Sequence, residues 1–182
     1  MSKNILKVEY SYDFELIGIA DSVPDYKLCW ILNSALGWRL EKKDDIKVPQ
    51  TKSKYKITDT PQLFENEEVN ESSHPLYVFE DEPNDVNYLV IGNKSNGLLF
   101  LPETPRINHF LMIQGWLEDD KLTQIVEKIN QIPFINTAFK LNFREFANKQ
   151  NLIFEYDKLK QNENSSYIRT GLLKPRSVRT ND

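Results

Sequence analysis

At 182 residues the chain has the length of one domain and can bury a core without staples. A single cysteine, Cys29, rules out an internal disulfide and a cysteine-based zinc cluster, and no apolar run reaches the ~18 residues of a membrane-spanning helix. The formal net charge of −4 is unevenly laid out: nine carboxylates and no lysine or arginine lie between Asp59 and Asp85, whereas Lys158 to Asp182 carries a local +4. Met1-Ser2-Lys3-Asn4 leads into only a couple of apolar residues before charges resume, so no secretory signal is expected and the chain is assigned to the cytoplasm.

Val8, Tyr10, Tyr12, Phe14 and Leu16 alternate with Glu9, Ser11, Asp13 and Glu15, the period of a strand with one dry face. Ile17 and Ile19 then fall on the polar face, so the second half of that strand should be covered on both sides. Asp21 or Ser22 caps a first helix with Pro24 in its first turn, an apolar stripe of Leu28, Ile31, Leu32, Ala35 and Leu36, and Gly37 as its stop. That stripe is expected on the dry face of the first strand. Trp38 and Leu40 open a second strand, and Lys42 to Lys54, mostly charged and polar, reads as a loop or frayed ribbon. Tyr55 and Ile57 begin another strand, and the acidic run to Ser73 reads as a connection, with His74 in a polar Ser-Ser-His-Pro loop.

Leu76 to Phe79 and Val86 to Ile91 have the spacing of a hairpin around Glu80 to Asp85, and Asn96-Gly97 marks a tight turn. Ile107 to Ile113 is apolar on both faces, as a central strand would be. A second helix runs from about Glu118, with Asp119 and Asp120 at its N-terminus and Leu122, Ile125, Val126 and Ile129 on one stripe, and Pro133 stops it. Ile135, Thr137, Phe139 and Leu141 then alternate as a strand, Asn142 opens a short helix with Phe143 and Phe146, and Leu152-Ile153-Phe154 closes the core. Strands follow one another through short turns. The expected fold is therefore α+β, an antiparallel sheet of about six strands with two main helices on one face. Residues 1–155 form the domain, and the polar, basic stretch 156–182 is expected to be a disordered tail.

The chain is organised around Leu98 to Gly115, where two apolar runs meet at Pro102-Glu103-Thr104-Pro105. Proline fixes φ and donates no backbone hydrogen bond, so both prolines should interrupt pairing and hold Glu103 in an ordered turn, accepting hydrogen bonds across the joint. Leu101-Pro102-Glu103, three residues, then Ile107-Asn108-His109 resembles the IPExxxVDY proteins, a bacterial family of unestablished activity. The Pro-Glu pair matches, both aliphatic positions are conservatively changed, and Asn108-His109 replaces Asp-Tyr. Asp13 to Ile19, Asp25-Tyr26-Lys27-Leu28 and Asn151 to Phe154 extend the likeness over roughly residues 8 to 155. The resemblance implies an α+β fold and cytoplasmic residence, and it carries over no catalytic residue.

Chemistry is sparse. Nucleophilic hydrolysis needs a hydroxyl or thiol beside a base, and only His74 and His109 are present. His109 reads as a satisfied sheet residue, and Cys29 as a buried small residue inside the first helix. Asp13 and Glu15 share a polar strand face with no sign of a catalytic pairing. The acidic run lacks calcium-loop spacing, Gly92 to Gly97 fits no phosphate-binding fingerprint, and no metal or cofactor is implied. The expected function is a non-catalytic protein-interaction module, with Glu103, Arg106 and His109 at the joint and Lys174, Arg176 and Arg179 in the tail as candidate binding residues. Alternatives are a small RNA-associated factor that uses the basic arm, and a small-molecule sensor.

Overall fold

Strand β1, Phe14–Asp21, buries Leu16 on one face of the sheet and Ile17 and Ile19 on the other, so it is covered on both sides. The computed structural model describes residues 14–49 and 71–153. After β1 come α1 (Asp25–Leu36), β2 (Glu41–Pro49), β3 (Glu71–Asp81), β4 (Val86–Gly92), β5 (Lys94–Ser95) and β6 (Leu98–Leu99). β7 (His109–Gln114), α2 (Asp119–Asn130) and β8 (Ile135–Lys140) complete the order, with short 3₁₀ turns at Glu82–Asn84, Phe143–Glu145 and Lys149–Leu152. Six strands form one antiparallel sheet in the order β2-β3-β4-β7-β1-β8, and β5 and β6 pair as a small hairpin. With both helices on one face, this is the α+β architecture expected from the pattern of strands and helices. Within the sheet, β7 is central, as its two apolar faces imply.

The two faces carry separate cores. Ile17, Ile19, Leu111 and Ile113 meet Leu28, Cys29 and Leu32 of α1 and Leu122 and Ile129 of α2. Leu16, Leu76, Leu89, Phe110 and Met112 meet the irregular chain through Phe100, Leu101 and Ile107, and Phe143 and Leu152 beyond β8. The first helix therefore lies on the Ile17 and Ile19 side and not on the Phe14 and Leu16 side, which corrects the expected docking face. Its stripe is also rotated: Cys29 is buried and Ala35 is exposed. No side chain caps α1; Pro24 occupies the N-cap and Asp21 instead accepts a bond from the Val23 N–H at 3.0 Å. Gly37, at φ 70°, ends the helix in the left-handed region.

Glu41–Pro49 form β2, paired along β3 with Ile46 and Val48 buried, in place of the expected loop or frayed ribbon. β2 is an edge strand, and its charges, its Lys43/Ile46 register shift and Pro49 are devices that keep an exposed edge from pairing further. His74 lies in β3 and is fully buried, which corrects its placement in a polar loop. In β8 the buried residues are Ile135 and Ala138, because Ala20 pairs with Thr137 and Asp21 with Ile135, leaving Asn136 as an extra residue that breaks the alternation. The other edge is closed by a side chain. Asn130 Oδ1 accepts from Ala138 N at 2.7 Å and its Nδ2 donates to Ala138 O at 2.8 Å, filling outward-facing groups of β8 as a further strand would. Asn33 of α1 brackets Leu40 in the same way, at 2.8 and 3.3 Å.

The hairpin of β3 and β4 turns through Asp85 at φ 53°, and Asn96 (φ 49°) and Gly97 (φ 79°) make the tight turn between β5 and β6. The expected strand over Val8 to Asp13, the strand at Tyr55 and Ile57, the acidic connection through residue 70 and the tail from 156 lie outside the described residues.

Candidate functional site

Proline leaves a turn short of donors, and the joint between β6 and β7 makes up the shortfall with buried amides. Asn93, wholly buried after β4, uses every polar group it has. Its N–H donates to Asn108 O (2.9 Å), its carbonyl accepts from Phe100 N (2.8 Å) and its Oδ1 accepts from Leu101 N (2.9 Å). Its Nδ2 donates to both Thr104 O (3.1 Å) and Ile107 O (2.9 Å). Within the joint Thr104 N donates to Leu101 O and Ile107 N to Thr104 O, each at 3.1 Å, so two turns follow one another. Asn151 Nδ2 donates to Phe100 O at 2.7 Å, which ties the joint to the last described turn.

Glu103 is exposed, and its Oε1 accepts from Asn148 N at 2.7 Å and from Asn148 Nδ2 at 3.0 Å. It thus accepts backbone and side-chain bonds, as the turn demands, from a residue 45 positions along the chain. Arg106 is exposed on the same joint. His109 is directed elsewhere: it pairs with Ile19 on the helix side of the sheet, while Phe100, Leu101 and Ile107 cover the opposite side. Its Nδ1 lies 2.7 Å from Asp21 Oδ2, both side chains are buried, and the neighbouring carboxylate fixes Nδ1 as the protonated nitrogen. The pair clamps the turn into α1 against β7. The structure therefore groups Glu103 and Arg106 and sets His109 apart; Lys174, Arg176 and Arg179 lie outside the described residues.

His74 is held by two bonds, Nδ1 to Gly92 O at 3.0 Å and Nε2 to Ser72 Oγ at 2.8 Å. Burial holds the imidazole below its ordinary range, so it stays neutral, donating to the carbonyl and accepting from the hydroxyl. Burial, with Asp25 adding to it, pushes the Cys29 thiol far up, so no thiolate forms there.

Periodicity gives no sign of a concavity that the fold assembles. An open groove of about 870 Å³ runs along the ends of β1 and β8 and the loop into α2. Its floor is Phe14 stacked on Phe143 at 4.4 Å, with Leu141 and Leu117 beside them. Lys140 and Glu15 pair across one wall at 2.9 Å; Arg144 and Asp119 line the groove without an ion pair among the described residues. Trp116 stands on the rim 79% exposed and also borders a second hollow with Tyr88, Glu118 and Lys121. The preceding Gly115 (φ 104°) has to be glycine, since a Cβ there would collide with the Asp85 carbonyl. A Gly-Trp-Leu sequence between strand and helix was the available signal. Among the described residues no three metal-ligating side chains come together, and no helix is long and apolar enough to cross a membrane.

No family model matches this chain, and no curated protein matches it.

Proposed function

We propose that this chain is a non-catalytic protein-interaction module of the cytoplasm, and that its partner lays an extended segment in the groove beside Trp116. The observation that carries this reading is Trp116 itself, a large aromatic 79% exposed at the border of two hollows. Left in water such a side chain gains nothing, whereas buried in an interface it is the residue type that most often dominates binding. Leu141 and Leu117 in the groove suit an apolar side chain. Arg144, without an ion pair among the described residues, suits a carboxylate at the groove. The partner segment is therefore one that alternates apolar and acidic residues. The likeness to the IPExxxVDY proteins supports the same cytoplasmic setting, and Glu103 and Arg106 offer a second, smaller polar surface on the irregular cover of the sheet.

The test is a pull-down from native lysate with wild type, Trp116→Ala and Arg144→Glu, with and without nuclease. Protein bands that survive nuclease and disappear with both variants support the reading. Recovery that nuclease abolishes favours RNA bound by the basic arm of Lys174, Arg176 and Arg179. Equal recovery by all three proteins removes the groove from the function.

A further inference from the structure

The groove beside Trp116 lies where the two strands that flank β1 run on past its first residue. One wall, Trp116 and Leu117, follows β7, whose chain bends at Gly115 (φ 104°) just after Gln114 pairs with Phe14. The other wall, Leu141 to Arg144, follows β8, and Leu141 N donates to Leu16 O at 2.8 Å, so this neighbour also keeps alongside β1 almost to its start. Phe14 and Glu15, the first residues of β1, line the groove between these walls. The backbone that precedes Phe14 therefore joins the described fold at the groove, and a strand prolonged backward along the axis of β1 passes between the two walls.

The residues that precede Phe14 have the composition the groove calls for. Val8, Tyr10 and Tyr12 alternate with Glu9, Ser11 and Asp13, the apolar and acidic alternation that suits a partner segment. The two sides of β1 are marked at its start, where Phe14 stacks on Phe143 and Glu15 pairs with Lys140 at 2.9 Å. In the same register Tyr10 and Tyr12 fall on the Phe143 side, and Ser11 and Asp13 on the Lys140 side. Six extended residues at ~3.3 Å each reach ~20 Å. The groove, at about 870 Å³, is within the ~300–1,000 Å³ of small-ligand sites, which gives room for a few side chains. A segment tethered at the groove holds it against a free partner at an effective concentration on the order of mM.

We infer that Val8 to Asp13 continues β1 into the groove as its resident occupant, and that a partner gains the groove only by displacing this segment; the second half rests on the reading of the groove as a partner site. Leu117→Cys puts a thiol in the groove wall of the full chain, whose own Cys29 is buried, and the rate of alkylation by N-ethylmaleimide reads the cover. A segment seated about nine-tenths of the time slows that reaction about tenfold. Adding Tyr10→Ser and Tyr12→Ser should therefore raise the rate about tenfold, and without Leu117→Cys the same pair should raise partner recovery in the pull-down by a similar factor. Asp13→Lys should act in the same direction, and Cys29 that stays unlabelled shows that each variant is folded. If the paired serines expose Cys29, Asp13→Lys decides alone. Equal alkylation rates would overturn the seat. Rates that differ while every chain recovers the partner equally would overturn the displacement. Rates that differ while no chain recovers a partner would sink the partner reading and leave the seat standing.

Discussion

On one side of the sheet, α1 and α2 cover Ile17, Ile19, Leu111 and Ile113, and each helix closes its backbone hydrogen bonds within itself. On the other side, irregular chain around residues 100–107 and 143–152 covers Leu16, Phe110 and Met112, and its peptide groups have no ladder to enter. The first cover needs little beyond apolar side chains at helical spacing. The second needs buried amides at particular places, and Asn93 and Asn151 are those amides. Irregular chain is therefore a workable lid for a sheet only where side chains stand in for backbone partners.

The largest expected effects compare the two covers directly. Phe100→Ala, on the irregular side, should cost about 3–5 kcal/mol, and Leu32→Ala, on the helical side, about 2–5 kcal/mol, both read from urea melts. A melt unchanged by Leu32→Ala would break the assignment of α1 to the core. If Phe100→Ala is mild, the irregular cover is only draped over the sheet and does not form a second core.

Asn93→Ala should come next. It orphans the Leu101 N–H and the Ile107 carbonyl, at about 1–3 kcal/mol for each group that water cannot reach, while the Thr104 carbonyl keeps the Ile107 N–H. Asn93→Asp keeps the acceptor for Leu101 N but turns a carboxylate on two carbonyls, so it should be no milder than alanine. Hydrogen exchange at Leu101 would localise the loss; protection that survives in Asn93→Ala would show that the joint is held by its prolines alone.

The smallest effect belongs to Glu103→Ala. Its bonds to Asn148 are exposed, so the cost is about 0.5–1.5 kcal/mol, below that of a buried acceptor. Glu103→Gln, which retains an acceptor oxygen, should recover most of it. A loss as large as that of Asn93→Ala would mean that the outer bond, and not the buried amide, anchors the joint.

The helical cover was legible in the sequence because Leu28 and Leu32, and Leu122 and Ile129, repeat at the helical period against residues that stay wet. The hairpin of β3 and β4 and the Asn96-Gly97 turn were legible from turn chemistry. β2 was not, since the charges that defend an edge strand are the same charges that mark a loop. β8 misled through Asn136, because one extra residue moves Ile135 to the other face from the one its alternation with Thr137 and Phe139 implies. Of the site, the ordered turn at Glu103 was foreseeable from two prolines, whereas Asn93 looked like any polar residue after a strand. The groove at Trp116 brings together β1, β8 and the loop into α2, and no local pattern encodes a meeting of segments so far apart.

The strand order β2-β3-β4-β7-β1-β8 has a consequence for synthesis. β1 is the first described strand to leave the ribosome, yet both of its neighbours come late: Ile17 pairs with Leu111 on one side and with Lys140 on the other. At about 5–20 residues per second the nascent chain waits several seconds before β7 exists, and longer for β8. Through that interval Leu16, Ile17 and Ile19 are a bare apolar strand, and only neighbours such as β3 and β4 can pair locally. Completion of the sheet is thus a late, long-range event, and the nascent chain spends that time as the form most open to chaperones and to self-association through an unpaired strand.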